Sequence, residues 1–151
     1  YHGVSTAIAD ASPEEWPAGF EPPHVARIDP VGEIDVELER AVDRLSEIGL
    51  AATFVDGGFT SDGILDVSPA VLAAIVARTH AAGGFYVADE VQIGHGRTGQ
   101  LLWSFVRDGI TPAFVTLGKP MGNGEPSAAV STGREIAARC GRATRFFATL
   151  G

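Results

Sequence analysis

The sequence predicts an α/β domain organised on a mostly parallel sheet, and three observations carry that prediction. Short apolar runs rich in aromatic and branched residues (Ala51 to Val55, Phe85 to Ala88, Ala113 to Leu117) are bounded by glycine or proline, as buried parallel strands are. A helical pattern separates the first two, giving a strand–helix–strand unit of the kind that builds right-handed crossovers. Two of the runs end in reactive groups, Asp89-Glu90 and Gly118-Lys119-Pro120. Open α/β sheets hold their ligands just past the carboxyl ends of their strands.

The bulk properties narrow the function classes. With 151 residues and 45% hydrophobic content, the chain fits one domain with a substantial core. Eleven basic residues against nineteen acidic ones give a net charge of −8, which argues against non-specific binding to nucleic acid or an anionic membrane. No apolar run approaches the ~20 residues that span a bilayer, and no signal-peptide pattern opens the chain. The single cysteine, Cys140, cannot form an internal disulfide and fits a reducing compartment, so a cytoplasmic protein is expected. A start at Tyr1 and a motif cut at Gly151 point to a piece of a longer protein.

Each element follows in order. Pro13, Pro17, Pro22, Pro23 and Pro30 make the early chain an irregular surface connection, with Trp16 and Phe20 expected to pin it to the body. From Asp35, Leu38, Ala41, Val42, Leu45 and Ile48 recur at helical spacing, and Gly49 is placed to end the helix. The charged residues of its other face, Arg40 and Arg44 among them, read as solvated. Strand Ala51 to Val55 ends at Asp56-Gly57-Gly58. Ser68-Pro69 starts a helix with a side-chain cap and a proline where no donor is missed. Its buried face is Val71, Leu72, Ile75 and Val76, and Gly83-Gly84 stops it before strand Phe85 to Ala88. Gln100 to Arg107 reads as a short helix, Ala113 to Thr116 as a strand, and Ser127 to Ser131 as a weakly alternating one. Thr132 with Glu135 forms a capping box for a last helix over about Gly133 to Arg139.

Two motifs mislead. Gly94-His95-Gly96-Arg97-Thr98-Gly99 matches a dinucleotide fingerprint by letter, but five residues, Asp89 to Ile93, separate it from the strand and no acidic residue follows at the ribose-binding distance. Around Gly118-Lys119, Ala113 and Pro120 occupy positions where a phosphate loop needs glycine and Ser/Thr. His2, His24, His80 and His95 show no zinc-ligand spacing with Cys140, so no metal site is expected.

Asp89 and Lys119 admit a more specific chemistry. A lysine in a glycine-rich loop beyond a strand can be desolvated, which frees its amine as a nucleophile. An aldehyde cofactor captures such an amine as a Schiff base, and pyridoxal phosphate also needs a carboxylate beside its ring nitrogen. The alternatives at this point are a structural ion pair or unrelated surface charges.

The run Ala88-Asp89-Glu90-Val91-Gln92-Ile93-Gly94-His95-Gly96-Arg97-Thr98-Gly99, continued by Pro112 and Val115 to Pro126, resembles the signature of class III (ω-type) aminotransferases. Tyr1-His2-Gly3 and Phe146 to Gly151 resemble the family's flanking motifs, so the resemblance runs end to end. It implies a three-layer α/β/α fold, part of a fold-type-I large domain over 1–151 that carries pyridoxal phosphate between the subunits of a homodimer. By the same resemblance Lys119 forms the Schiff base and shuttles protons, and Asp89 pairs with the ring nitrogen. Gln92 lies near the ring hydroxyl, Tyr1 stacks on the ring with His2 beside it, and Thr149 reaches the other subunit's cofactor phosphate. Glu90, Arg97 and Thr98 are structural, and a buried Arg97 needs a carboxylate partner.

Departures from the family pattern lie at Ala113 for aspartate, Ala128 for glycine and Asp56 for glutamate. The family's phosphate cradle falls before Tyr1 and its small domain after Gly151. The implied activity is transfer of an amino group from an amino acid or amine to a keto acid or aldehyde. Gly58 to Gly63 looks closer to phospholyases acting on amino-alcohol phosphates, which is the alternative reaction. A truncated, non-catalytic binding domain is the alternative from another class.

Overall fold

Four strands form one sheet in the order β1 (Ala52–Asp56), β2 (Phe85–Asp89), β3 (Phe114–Leu117) and β4 (Ala129–Thr132). The computed structural model describes residues 1–144. Strands β1, β2 and β3 run parallel and β4 is antiparallel to β3, so the sheet is mostly parallel, as the apolar runs predict. Around it lie α1 (Thr6–Ala9), α2 (Ile34–Arg44), α3 (Pro69–Ala81), α4 (Ser104–Arg107) and α5 (Arg134–Ala143). Two 3₁₀ turns, Pro13–Glu15 and Lys119–Gly122, complete the described elements.

Alternation along the strands divides the sheet into two faces. On one, Val55, Tyr86 and Ala88 meet Leu72 and Ile75 of α3 and Leu38 of α2, forming the buried core. Leu72 is 1% exposed, and burying a leucine this fully is worth about 1.5–3 kcal/mol. The hydroxyls of Thr79 on α3 and Thr53 on β1 are hydrogen-bonded at 2.8 Å and tie helix to strand. The other face carries Phe54, Phe85, Phe114 and the Asp89 carboxylate. Phe85 and Phe114 meet edge to face there, with ring centroids 5.6 Å apart.

Local signals explain most boundaries. The Ser68 hydroxyl accepts from the Val71 N–H and caps α3, as read from the sequence. α2 ends at Arg44 with Leu45 as its C-cap, before the Gly49 stop predicted for it; Gly49 takes φ +78° and its N–H donates to the Leu45 carbonyl at 2.7 Å, closing the turn that follows the helix. Ile48 lies beyond that helix and is 63% exposed, so it does not join the buried stripe.

Other expectations need correction. The helix read over Gln100 to Arg107 exists only from Ser104, because Trp103 is extended and the chain before it bends. No capping box forms at Thr132. That residue ends β4, its hydroxyl donates to the Ala113 carbonyl at 2.8 Å, and α5 starts from Gly133 without a side-chain cap. The Trp16 indole N–H donates to the Asp10 carbonyl at 3.2 Å, a bond within the early chain itself, and Phe20 is 51% exposed, so neither aromatic is seen to pin the segment to the body. The segment is held instead by the arginines read as solvated. Arg44 donates to the carbonyls of Val25 (2.8 Å) and Pro22 (3.0 Å), and Arg40 donates to the Arg27 carbonyl and to Glu37. A proline-rich stretch cannot pair its carbonyls in a helix, so side-chain donors from α2 supply the partners.

Candidate active site

The carboxyl ends of β1, β2 and β3 converge beside the Tyr1–Gly3 segment on a cleft of about 80 Å³ lined by Tyr1, His2, Asp56, Asp89, Gln92 and Lys119. Five of the six cofactor-site residues named from the sequence therefore share one cleft. The sixth, Thr149, lies outside the described residues. A larger cavity of about 840 Å³ opens between the early segment, α2 and β1. It touches Tyr1, His2 and Asp56 but neither Asp89 nor Lys119, and most of its lining is apolar.

Asp89 is the last residue of β2 and is 7% exposed. One carboxylate oxygen accepts from the His2 ring Nδ1 at 2.6 Å. The other accepts from the Thr116 hydroxyl at 2.9 Å and the Val91 N–H at 3.1 Å. Burial pushes this carboxyl up, but the hydrogen bonds from His2, Val91 and Thr116 outweigh it and hold the group below the ordinary carboxylate range. Asp89 is thus a buried anion in a set of donors.

Lys119 follows β3 through Gly118 and opens the second 3₁₀ turn with φ +44°, a left-handed conformation that costs a lysine on the order of 1 kcal/mol. It is exposed within this chain, not desolvated as the glycine-rich loop led us to expect. It is also the only lysine of the chain. Gln92 donates from its amide to the Ser61 hydroxyl at 3.1 Å, which joins the cleft to the loop after β1. Asp56 pairs in register with Asp89 across β1 and β2. Its carboxylate folds back on its own loop, accepting from the N–H groups of Gly58 and Thr60, each at 3.0 Å, and from the Thr60 hydroxyl.

Behind the cleft, Glu90 is fully buried and accepts from the Ser104 hydroxyl (2.6 Å) and from the N–H groups of Ser104 and Phe105 (3.1 Å each). It caps α4 and fixes the chain immediately after Asp89. Arg97 is exposed and donates to the Gln92 carbonyl at 2.7 Å, so the carboxylate partner expected for a buried arginine is not needed. Sequence reasoning missed Thr116 and Ser12. Thr116 was findable, since it sits opposite Asp89 in the β2–β3 register. The Ser12 hydroxyl, which accepts from the His2 N–H at 2.8 Å, had no sequence signal.

The cleft offers an amine, a buried carboxylate, an amide and an aromatic ring. That donor set fits the aldehyde and ring of pyridoxal phosphate, whose protonated ring nitrogen needs an anion such as the buried Asp89 carboxylate. Lys119 is the one Lys or Arg among the cleft's described residues, so the phosphate end finds no arginine there. Among the described residues, no group of three His, Cys, Asp or Glu side chains could hold a metal ion. None of the helices described is long and apolar enough to cross a membrane.

Comparison with known proteins agrees with this donor set. Ethanolamine-phosphate phospho-lyase homolog 1 of Caenorhabditis elegans is 36% identical over 107 residues, covering 70% of this chain and 23% of that protein. Alanine--glyoxylate aminotransferase 2-like of Drosophila melanogaster is 30% identical over 160 residues, covering 91% of this chain and 32% of that protein. A phospholyase from Arthrobacter, solved in complex with phosphoethanolamine, matches 99% of this chain and 39% of its own at TM-score 0.81 and 34% identity. An (S)-enantioselective omega-transaminase from Thermomicrobium roseum matches 96% of this chain and 36% of its own at TM-score 0.73 and 26% identity. The chain therefore spans well under half the length of each. Residues 28–148 match the family described as Aminotransferase class-III, a family of pyridoxal-phosphate-dependent enzymes, and the chain belongs to that family.

Proposed function

We propose that this chain is part of the large domain of a pyridoxal-phosphate-dependent transaminase, moving an amino group from an amino acid or amine to a keto acid or aldehyde. The observation that carries the reading is the meeting of Lys119, the sole lysine, and the buried Asp89 anion in one cleft at the ends of adjacent parallel strands. When bound, pyridoxal phosphate supplies an aldehyde that takes up amines and a protonated ring that accepts the electron pair left by a departing proton. Lys119 Nζ would be the amine that holds the aldehyde, and the group that moves the substrate proton next to nitrogen. Asp89 holds the ring-nitrogen proton, and its own hydrogen bonds keep it anionic for that task. Tyr1 and Gln92, which line the same cleft, would hold the ring by stacking and by a hydrogen bond to its hydroxyl. A second copy of the chain would complete the site in a homodimer.

A second reaction is supported by a specific observation, the 99% coverage by the Arthrobacter phospholyase together with the similarity to the nematode phospho-lyase homolog. In that reading Lys119 removes the same proton, and the substrate's neighbouring phosphate leaves in place of amino transfer. The test supplies the intact protein and pyridoxal phosphate with a donor–acceptor pair, and separately with phosphoethanolamine. Amino transfer without phosphate release is the expected result. Phosphate release without transfer selects the second reaction, and neither activity refutes both.

A further inference from the structure

We propose that Ser12 is a positioning residue of the site, its buried hydroxyl holding the Tyr1–Gly3 segment so that His2 is fixed against Asp89. For its functional consequence the proposal rests on the reading of Asp89 given above; its geometry does not.

Ser12 is 0% exposed and is the one buried polar residue in the first 33 residues. Its hydroxyl accepts from the His2 N–H at 2.8 Å and donates to the Gly3 carbonyl at 2.9 Å. The segment it holds belongs to no helix or strand, so no backbone ladder sets its position. Gly3 itself turns through φ +134°, and a side chain there would collide with Ile8 at 2.8 Å. One hydroxyl therefore clamps the chain before the His2 Cα and after the Gly3 Cα.

The clamp decides where the imidazole lies. His2 Nδ1 is 2.6 Å from Asp89 Oδ2, and its ring rests on Phe54 with centroids 5.5 Å apart. An ionised carboxylate only accepts, so Nδ1 carries the proton and the tautomer is set. Other charged groups are near: Asp56 and Lys119 line the same cleft, and Glu14 of the first 3₁₀ turn is electrostatically coupled to His2. Among the described residues, none of these is hydrogen-bonded to Asp89, whose side-chain donors are His2 and Thr116. Releasing the backbone at Ser12 thus removes a donor from Asp89 without touching Asp89, His2 or the cleft lining.

Ser12→Ala, with His2→Ala for comparison, tests this in the intact protein without cofactor. Nitrogen-15 histidine NMR reads the far-downfield proton shared by His2 and Asp89, and carbon-13 NMR follows the Asp89 carboxyl through a pH titration. The expected result is loss of that proton signal and a shift of the Asp89 titration to higher pH in both variants. Wild-type behaviour of Ser12→Ala in both measurements overturns the proposal. Should Ser12→Ala fail to fold, Ser12→Cys, a weaker hydrogen bonder, is expected to give a smaller shift in the same direction; no shift overturns the proposal equally. Both measurements are independent of pyridoxal phosphate. In loaded protein, the pH dependence of the cofactor absorbance follows the same variants only if Asp89 meets the ring, which separates failure of this proposal from failure of the functional reading.

Discussion

Replacing Glu90 with alanine is predicted to be among the most damaging single changes near the site that leaves every cleft residue in place. The Glu90 carboxylate is fully buried and accepts three hydrogen bonds, from the Ser104 N–H, the Ser104 hydroxyl and the Phe105 N–H. Ser104 is itself 3% exposed, and a Cβ at Gly57 would lie 2.5 Å from its hydroxyl, so packing leaves no room for easy replacement by water. Each buried donor left without an acceptor costs about 1–3 kcal/mol. Partial relaxation brings three of them to a loss of roughly 3–5 kcal/mol, near the top of the range for single substitutions. Glu90→Gln keeps the shape and one oxygen but sets an NH₂ against a donor, so about 1–3 kcal/mol is expected. Urea unfolding of the intact protein, followed by tryptophan fluorescence, measures both, since Trp103 directly precedes α4. An alanine variant within 1 kcal/mol of wild type, or a glutamine variant weaker than alanine, would refute the buried-cap reasoning.

Three further outcomes are expected. The folded-state pKa of Asp89 is depressed, so its contribution is fully present above the ordinary value of 3.8 and is lost as pH falls through the lower folded value. The stability difference between wild type and Asp89→Asn, measured by denaturant titration at several pH values, should therefore shrink in acid; a difference that grows below that value contradicts the sign. Arg44→Ala frees the Val25 and Pro22 carbonyls and should destabilise by about 1–2 kcal/mol, with faster proteolysis confined to residues 17–30; an unchanged cleavage pattern would show that the clip is not needed. Gly94→Ala places a Cβ 2.6 Å from the Glu90 carbonyl, a backbone atom that cannot swing away, so thermal unfolding should shift down by several degrees for a loss of about 1–3 kcal/mol. An unshifted midpoint counts against that close approach.

What the sequence revealed follows from where physical signals are local. Asp89 and Lys119 stood out because each terminates an apolar run, and strand ends are where a parallel sheet presents side chains to a ligand. The Ser68-Pro69 start was readable because capping depends on residues within one turn, whereas the Gly49 signal overran the end of α2 at Arg44. Thr116 was accessible in principle, since pairing β2 with β3 sets it opposite Asp89. Ser12 and Arg44 were not. Their partners are backbone groups of an irregular segment whose path no periodicity encodes. Glu90 lay between these cases: its neighbour drew attention to it, but its partners in α4 lie 14 and 15 residues on, across a loop with no repeat. Thr132 shows the converse error. A capping-box spacing was present, yet a strand hydrogen bond to Ala113 claimed the hydroxyl.

The proposed chemistry turns on a covalent bond between one nitrogen and one carbonyl carbon, and that bond can be trapped. Intact protein saturated with pyridoxal phosphate, reduced with borohydride, digested and mapped by mass spectrometry should carry the pyridoxyl label on Lys119, with the label lost in Lys119→Arg. A label found only on lysines outside this chain, with Lys119 unmodified, would contradict the assignment of this cleft as the cofactor site.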